Sequence, residues 1–100
     1  MLTRESALEM LNSNVEKIKE FGVKKIGIFG SFSRETQKDT SDIDVLVEFK
    51  LGEKTFKNFM HLKLFLEELF DRNVDLVTND GLREELGPSI IKSVIHATGL

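Results

Sequence analysis

Two short polar stretches, ten residues apart, carry the residue types that could do chemistry in this chain. The first is Gly30-Ser31, which closes the apolar run KKIGIF; the second is Asp42-Ile43-Asp44, which opens the apolar run VLVEF. Ile43, Val45, Val47 and Phe49 alternate with period two, which predicts a half-buried strand. Successive side chains on a strand point to opposite faces, so Asp42 and Asp44 share the face that Ile43 avoids. Their Cα atoms would lie roughly 7 Å apart, and rotamer choice can bring the carboxylates closer. Two like charges there repel each other, and a shared divalent cation removes the conflict. Oxygen-only donors of this kind suit magnesium or manganese. A glycine-serine turn supplies the complementary chemistry, because backbone N–H groups and a hydroxyl can hold phosphate oxygens.

Other segments must position these groups. Leu8, Leu11, Val15 and Ile18 recur at helical spacing, so residues 3–21 read as an amphipathic helix with Thr3 as N-cap and Gly22 as stop. Asn12-Ser13-Asn14 is a weak point where that helix can divide. Residues 24–29 read as a first strand, with Ile26 and Ile28 on one face and Phe29 on the other. Gly27 within it suggests close backbone approach or a bulge. A turn of helix is expected from Ser31, followed by a polar loop and the second strand, residues 43–49. Phe56, Phe59, Met60, Lys63, Leu66, Leu69 and Phe70 then follow helical spacing, predicting a long helix before a third strand at 74–78. Asn79-Asp80-Gly81 reads as a turn, and residues 82–86 as a short helix stopped by Gly87. Pro88 suits the first position of a closing helix whose apolar stripe is Ile90, Ile91, Val94 and Ile95.

Composition narrows the partners. One hundred residues, with no repeat or linker, read as one domain over residues 1–100. A net charge of −3 and a pI near 5.4 argue against affinity resting on nucleic-acid phosphates, so no direct nucleic-acid binding is expected. The absence of cysteine excludes disulfides, zinc thiolates and thiol nucleophiles. The N-terminal stretch carries Arg4, Glu5 and Glu9, unlike a signal peptide, and no apolar run approaches the roughly 20 residues of a membrane span. A cytoplasmic location is the expectation.

The chemistry also dictates a topology. Ser31 follows the end of the first strand and Asp42 precedes the start of the second, so one pocket can hold both only if these strands pair antiparallel. The long helix between the second and third strands is enough for a parallel crossover. In such a pair Asp75, near the start of the third strand, lies beside Asp44. The expectation is therefore α/β (α+β): a small mixed sheet of at least three strands, flanked by helices. Three carboxylates and a phosphate-holding turn meet at one sheet end. Gly-Ser and Asp-x-Asp are weak signals alone, and their combination at this spacing is specific.

That combination resembles the DNA polymerase beta-like nucleotidyltransferase superfamily, and the short chain resembles its minimal nucleotidyltransferase (MNT) branch over nearly its whole length. The resemblance implies a nucleotidyltransferase fold, nucleotide binding at Gly30 and Ser31, and metal ligation at Asp42 and Asp44. Asp75 matches the third carboxylate, both ligand and catalytic. Many relatives carry a small residue and then Arg-Gly after the serine, whereas this chain reads Phe32-Ser33-Arg34-Glu35. Arg34 is a candidate to offset charge on the pyrophosphate leaving group. Members of this branch are often antitoxins encoded beside a HEPN-family RNase toxin, and some transfer AMP from ATP to a tyrosine of that toxin.

The resemblance thus implies an antitoxin enzyme that uses ATP and magnesium or manganese to modify a HEPN partner, with which it could form a hetero-oligomer. A non-catalytic module that neutralises its partner by occlusion is the alternative, and a nucleotidyltransferase acting on a small molecule a further one. Three intact aspartates favour the enzyme. The absence of a substrate domain disfavours a small-molecule acceptor.

Overall fold

The computed structural model describes residues 2–33, 35–38, 41–80 and 94–99. Its helical beginning is set by Thr3. The Thr3 side chain accepts from the Ser6 amide, and the Thr3 amide donates to Ser6 Oγ at 2.8 Å, a reciprocal cap that satisfies two otherwise orphaned donors. Helix α1 spans Arg4–Ser13 and α2 spans Val15–Lys19. The division falls at Asn14, whose side-chain amide donates to the Met10 carbonyl at 2.7 Å. A side chain that bonds the backbone in this way competes with helix continuation. Across the break, Ala7, Leu11, Val15 and Ile18 still form one buried stripe.

Strand β1 is Val23–Phe29, β2 is Ile43–Phe49, and helix α3 is Phe56–Phe70, followed by β3 at Val74–Thr78 and β4 at Ile95–His96. The sheet order is β3-β2-β1-β4, with β1 antiparallel to both neighbours and β2 parallel to β3. Ile43, Val45 and Val47 of β2, with Ile26 and Ile28 of β1, bury one face of the sheet against Leu11, Ile18, Leu62, Leu66 and Phe70 of the helices. The opposite face carries Phe29 and Leu46, packed with Val77 and Val94. The mixed sheet, the parallel crossover through α3 and the faces expected for β1 all stand as read from the sequence.

Three expectations need correction. In α3 the fully buried positions are Leu62 and Leu66, with Phe70 beside them, spaced by four, while Phe56 in the first turn is 80 % exposed. Size and apolarity mark Phe56 as core, but its place on the helix turns it outward. Ile95 is not part of a closing helix. It pairs with Ile28 as His96 pairs with Gly27, and the Ala97 amide donates to the Ile26 carbonyl at 2.8 Å. The backbone groups on that edge of β1 are thereby satisfied, which a helix there would leave undone. A Cβ on Gly27 would lie 2.7 Å from the Ile95 carbonyl oxygen, so the close approach anticipated at Gly27 is this pairing. Asn79 and Asp80 have helical backbone where a turn was expected. The short helix at 82–86, Gly87, Pro88 and the rest of the predicted stripe before Val94 lie outside the described residues. Among the described residues, no helix is long and apolar enough to cross a membrane.

Candidate active site

Strand register brings the candidate carboxylates to one end of one face. Asp44 pairs with Phe29 across the antiparallel ladder and with Asp75 across the parallel one. Neighbouring strands lie about 4.8 Å apart, so Asp44 and Asp75 are immediate neighbours. Asp42 precedes β2 by one residue and is exposed, as is Asp75, whereas Asp44 is half-buried. Among the described residues, no three His, Cys, Asp or Glu side chains are gathered closely enough to hold a metal ion. Like charges have reason to stand apart, and two of these three aspartates are exposed and able to turn. The donor set is carboxylate oxygen throughout, which fits a hard divalent cation.

The turn after β1 lies directly on Asp44. Gly30 has a φ of 70°, and a Cβ there would collide with the Asp44 carboxylate, 3.0 Å from its Cγ. Only glycine accepts both constraints without strain. The next carbonyls are all engaged within the protein. Ser33 Oγ donates to the Gly30 carbonyl at 3.1 Å, the Thr36 amide to that of Ser31 at 2.9 Å, and the Glu35 amide to that of Phe32 at 3.3 Å. Arg4 Nη1 donates to the Ser33 carbonyl at 3.3 Å. Carbonyl oxygens repel an oxyanion, so a turn whose four consecutive carbonyls are occupied internally suits a phosphate.

The helical turn expected from Ser31 is absent; residues 30–33 form turns instead. Glu35, with a left-handed φ of 59°, could not carry a helix further. This is the position where the resembled branch often carries glycine. Arg4 holds Glu35 there through a 3.2 Å ion pair and also reaches Glu5 at 3.3 Å. The Glu5 carboxyl is held below its ordinary value, first by its own backbone N–H in the opening turn of α1. Left-handed backbone costs a non-glycine residue roughly 1–2 kcal/mol, more than the roughly 0.2–1 kcal/mol of an exposed ion pair. Glu35→Gly is therefore expected to raise the midpoint of thermal unfolding, measured by calorimetry, despite losing the Arg4 contact. Arg34 lies outside the described residues.

Two residues that sequence reasoning passed over belong to this end of the sheet. Phe32 is fully buried and anchors the turn in the core, and Arg72 lies over its ring. A phenylalanine inside an otherwise polar loop was the available signal for the first. Nothing in the spacing marked the second. His61 and His96 are both exposed. A cleft of ≈ 320 Å³ lies at the other end of the sheet, lined by Lys24, Glu48, Lys50 and Lys54 among others. Its Lys24–Glu48 and Lys54–Asp80 pairs, at 3.3 and 2.7 Å, offset each other's charge, and it is remote from the aspartates.

A glycine turn seated on an aspartate that stands in register with a second one, on a small mixed sheet, is the architecture of a nucleotidyl-transfer site. The chain belongs to the nucleotidyltransferase domain family, which it matches over residues 9–98. It is 35 % identical over 97 residues to the protein adenylyltransferase MntA of Thermococcus cleftensis, covering 96 % of this chain and 97 % of that one. Among solved structures it resembles one named as a candidate minimal nucleotidyltransferase, with a TM-score of 0.79, 29 % identity, and coverage of 94 % and 95 % of the two chains. It also resembles a toxin–antitoxin crystallised with AMP-PNP, with a TM-score of 0.53 and 28 % identity, over 77 % of this chain and 57 % of that one.

Proposed function

We propose that this protein is an antitoxin that transfers AMP from ATP to a hydroxyl, a tyrosine in the first instance, of a partner HEPN RNase toxin. The observation that carries the reading is the Gly30 turn packed against Asp44, itself in register with Asp75. The similarity to a protein adenylyltransferase over almost the whole chain, and to a toxin–antitoxin holding an ATP analogue, supports the protein acceptor and the nucleotide.

Each residue has a distinct role. Gly30 admits the triphosphate to the backbone of the turn, and Ser31 donates its hydroxyl. Asp42, Asp44 and Asp75 would hold magnesium or manganese, which when bound would supply positive charge to offset that on the phosphates. Asp75, on the exposed rim, accepts the proton of the attacking hydroxyl. The hydroxyl oxygen bonds to the α-phosphorus, the bond to the β-phosphate oxygen breaks, and pyrophosphate leaves. Arg34, two residues after Phe32 in the sequence, would offset charge on the leaving pyrophosphate.

Asp75→Asn removes the base and one ligand while sparing the turn. ATP affinity is expected to stay within about threefold, as for loss of one peripheral interaction, while transfer stops. Intact mass of the co-expressed partner reads this out. Added AMP with the wild type and none with Asp75→Asn supports the enzyme. Inactivation of a partner of unmodified mass by the triple aspartate variant would establish occlusion instead.

A further inference from the structure

Arg72 stands where three segments of the site meet. It follows Asp71, the left-handed residue that ends α3, and precedes β3, the strand that carries Asp75. Its Nη1 donates to the carbonyl of Ser41, the residue before Asp42, at 3.2 Å. Its guanidinium carbon lies 5.4 Å from the centroid of the Phe32 ring, inside the turn that begins at Gly30. Its Nε is buried and has no hydrogen-bond partner among the described residues.

A surface arginine loses nothing by turning into water. This one keeps a donor dry, at a cost that a solvated rotamer would avoid. What the conformation provides is a cation over a ring that also donates an N–H to a carbonyl. Guanidinium suits this pair of contacts better than ammonium, because its charge is delocalised over a rigid fork of several fixed donors.

We infer that Arg72 is a positioning residue that sets the spacing between the phosphate-binding turn and the aspartates, acting through the Phe32 ring and the Ser41 carbonyl. The inference rests on reading this sheet end as a metal–nucleotide site. Arg72 touches no reacting atom. Free ATP needs the turn alone, whereas metal-bound ATP must engage the turn and the carboxylates together. The contribution of Arg72 therefore appears in the coupling, the factor by which magnesium raises ATP affinity. The sign separates positioning from charge. Removing a mere positive charge near three aspartates would strengthen cation binding, whereas removing a spacer weakens the coupling.

Calorimetric titration of ATP with and without magnesium, on the wild type, Arg72→Gln and Arg72→Lys, tests this. Arg72→Gln is expected to lower the coupling about tenfold, within the usual range for linked sites, and to change affinity for metal-free ATP by no more than about threefold. Arg72→Lys keeps the charge and a donor but loses the rigid fork that fixes both contacts at once, so it should fall between the two. It decides the matter if Arg72→Gln fails to fold. Unchanged or increased coupling in the variants overturns the inference. So does an equal loss with and without metal, which would mark ordinary structural support. A wild type in which magnesium leaves ATP affinity unaltered would overturn the underlying metal–nucleotide reading, and this inference with it.

Discussion

Asp42→Asn combined with Asp44→Asn is expected to reduce AMP transfer by at least about 10³-fold, because metal neutralisation of a phosphoryl centre contributes several kcal/mol and each 1.36 kcal/mol is a factor of ten. The same variant separates binding from chemistry. With ligand at about 100 times its dissociation constant, binding stabilises a folded protein by roughly 2.7 kcal/mol, on the order of 10 °C for a domain this size. Wild type should show such a shift with magnesium and ATP together. The double variant should lose the part that magnesium adds, since amides cannot replace two carboxylates as ligands for a hard cation. Differential scanning calorimetry measures the shift, and intact mass of the partner measures transfer. Equal metal-dependent shifts in both proteins would place the metal elsewhere.

Gly30→Val should be the most damaging single change in the turn. It places a β-branched residue at a φ of 70° and drives a side chain into the Asp44 carboxylate. Left-handed backbone costs roughly 1–2 kcal/mol and overpacking roughly 1–3 kcal/mol, so a loss of about 2–5 kcal/mol in unfolding free energy is expected. The effect on function goes beyond stability. Relief of the collision requires the turn or Asp44 to move, and either movement separates the phosphate donors from the metal ligands. Denaturant unfolding and ATP titration on the same preparation distinguish the two losses. Retained ATP affinity in a folded Gly30→Val protein would show that the phosphates bind at another place.

The parts of this fold legible in the sequence are those whose signals are local. The alternation from Ile43 to Phe49 locates β2, Thr3 caps its helix, and Val74–Thr78 stands out between a helix and a polar stretch. The pairing of Asp44 with Asp75 was also legible, because the chemistry demanded one topology and helix α3 was long enough to allow it. What escaped depends on distant partners. Ile95 has helical spacing with its neighbours, and only the edge of β1, far away in sequence, makes it a strand. Leu62 outranks Phe56 in the core because it shares a helix face with Leu66 and Phe70, and which apolar face of α3 meets the sheet is left undetermined by periodicity alone. Arg72 owes its interest to Ser41 and Phe32, both more than thirty positions away. The left-handed backbone at Glu35 is a fourth case. Its residue type argues against that conformation, and Arg4, brought near only by folding, helps to hold it.

The internal bonding of residues 30–33 has a thermodynamic consequence for ligand capture. Fixing one residue's backbone costs roughly 1–2 kcal/mol of conformational entropy, so a four-residue loop that ordered only on contact with ATP would forfeit roughly 4–8 kcal/mol. That loss is as large as the whole binding free energy of a millimolar to micromolar ligand. Here the torsions are settled when the chain folds, through Ser33, Glu35, Thr36 and Arg4. On the proposed reading, a nucleotide would meet a loop already ordered, and none of its attraction would be spent on fixing those four residues.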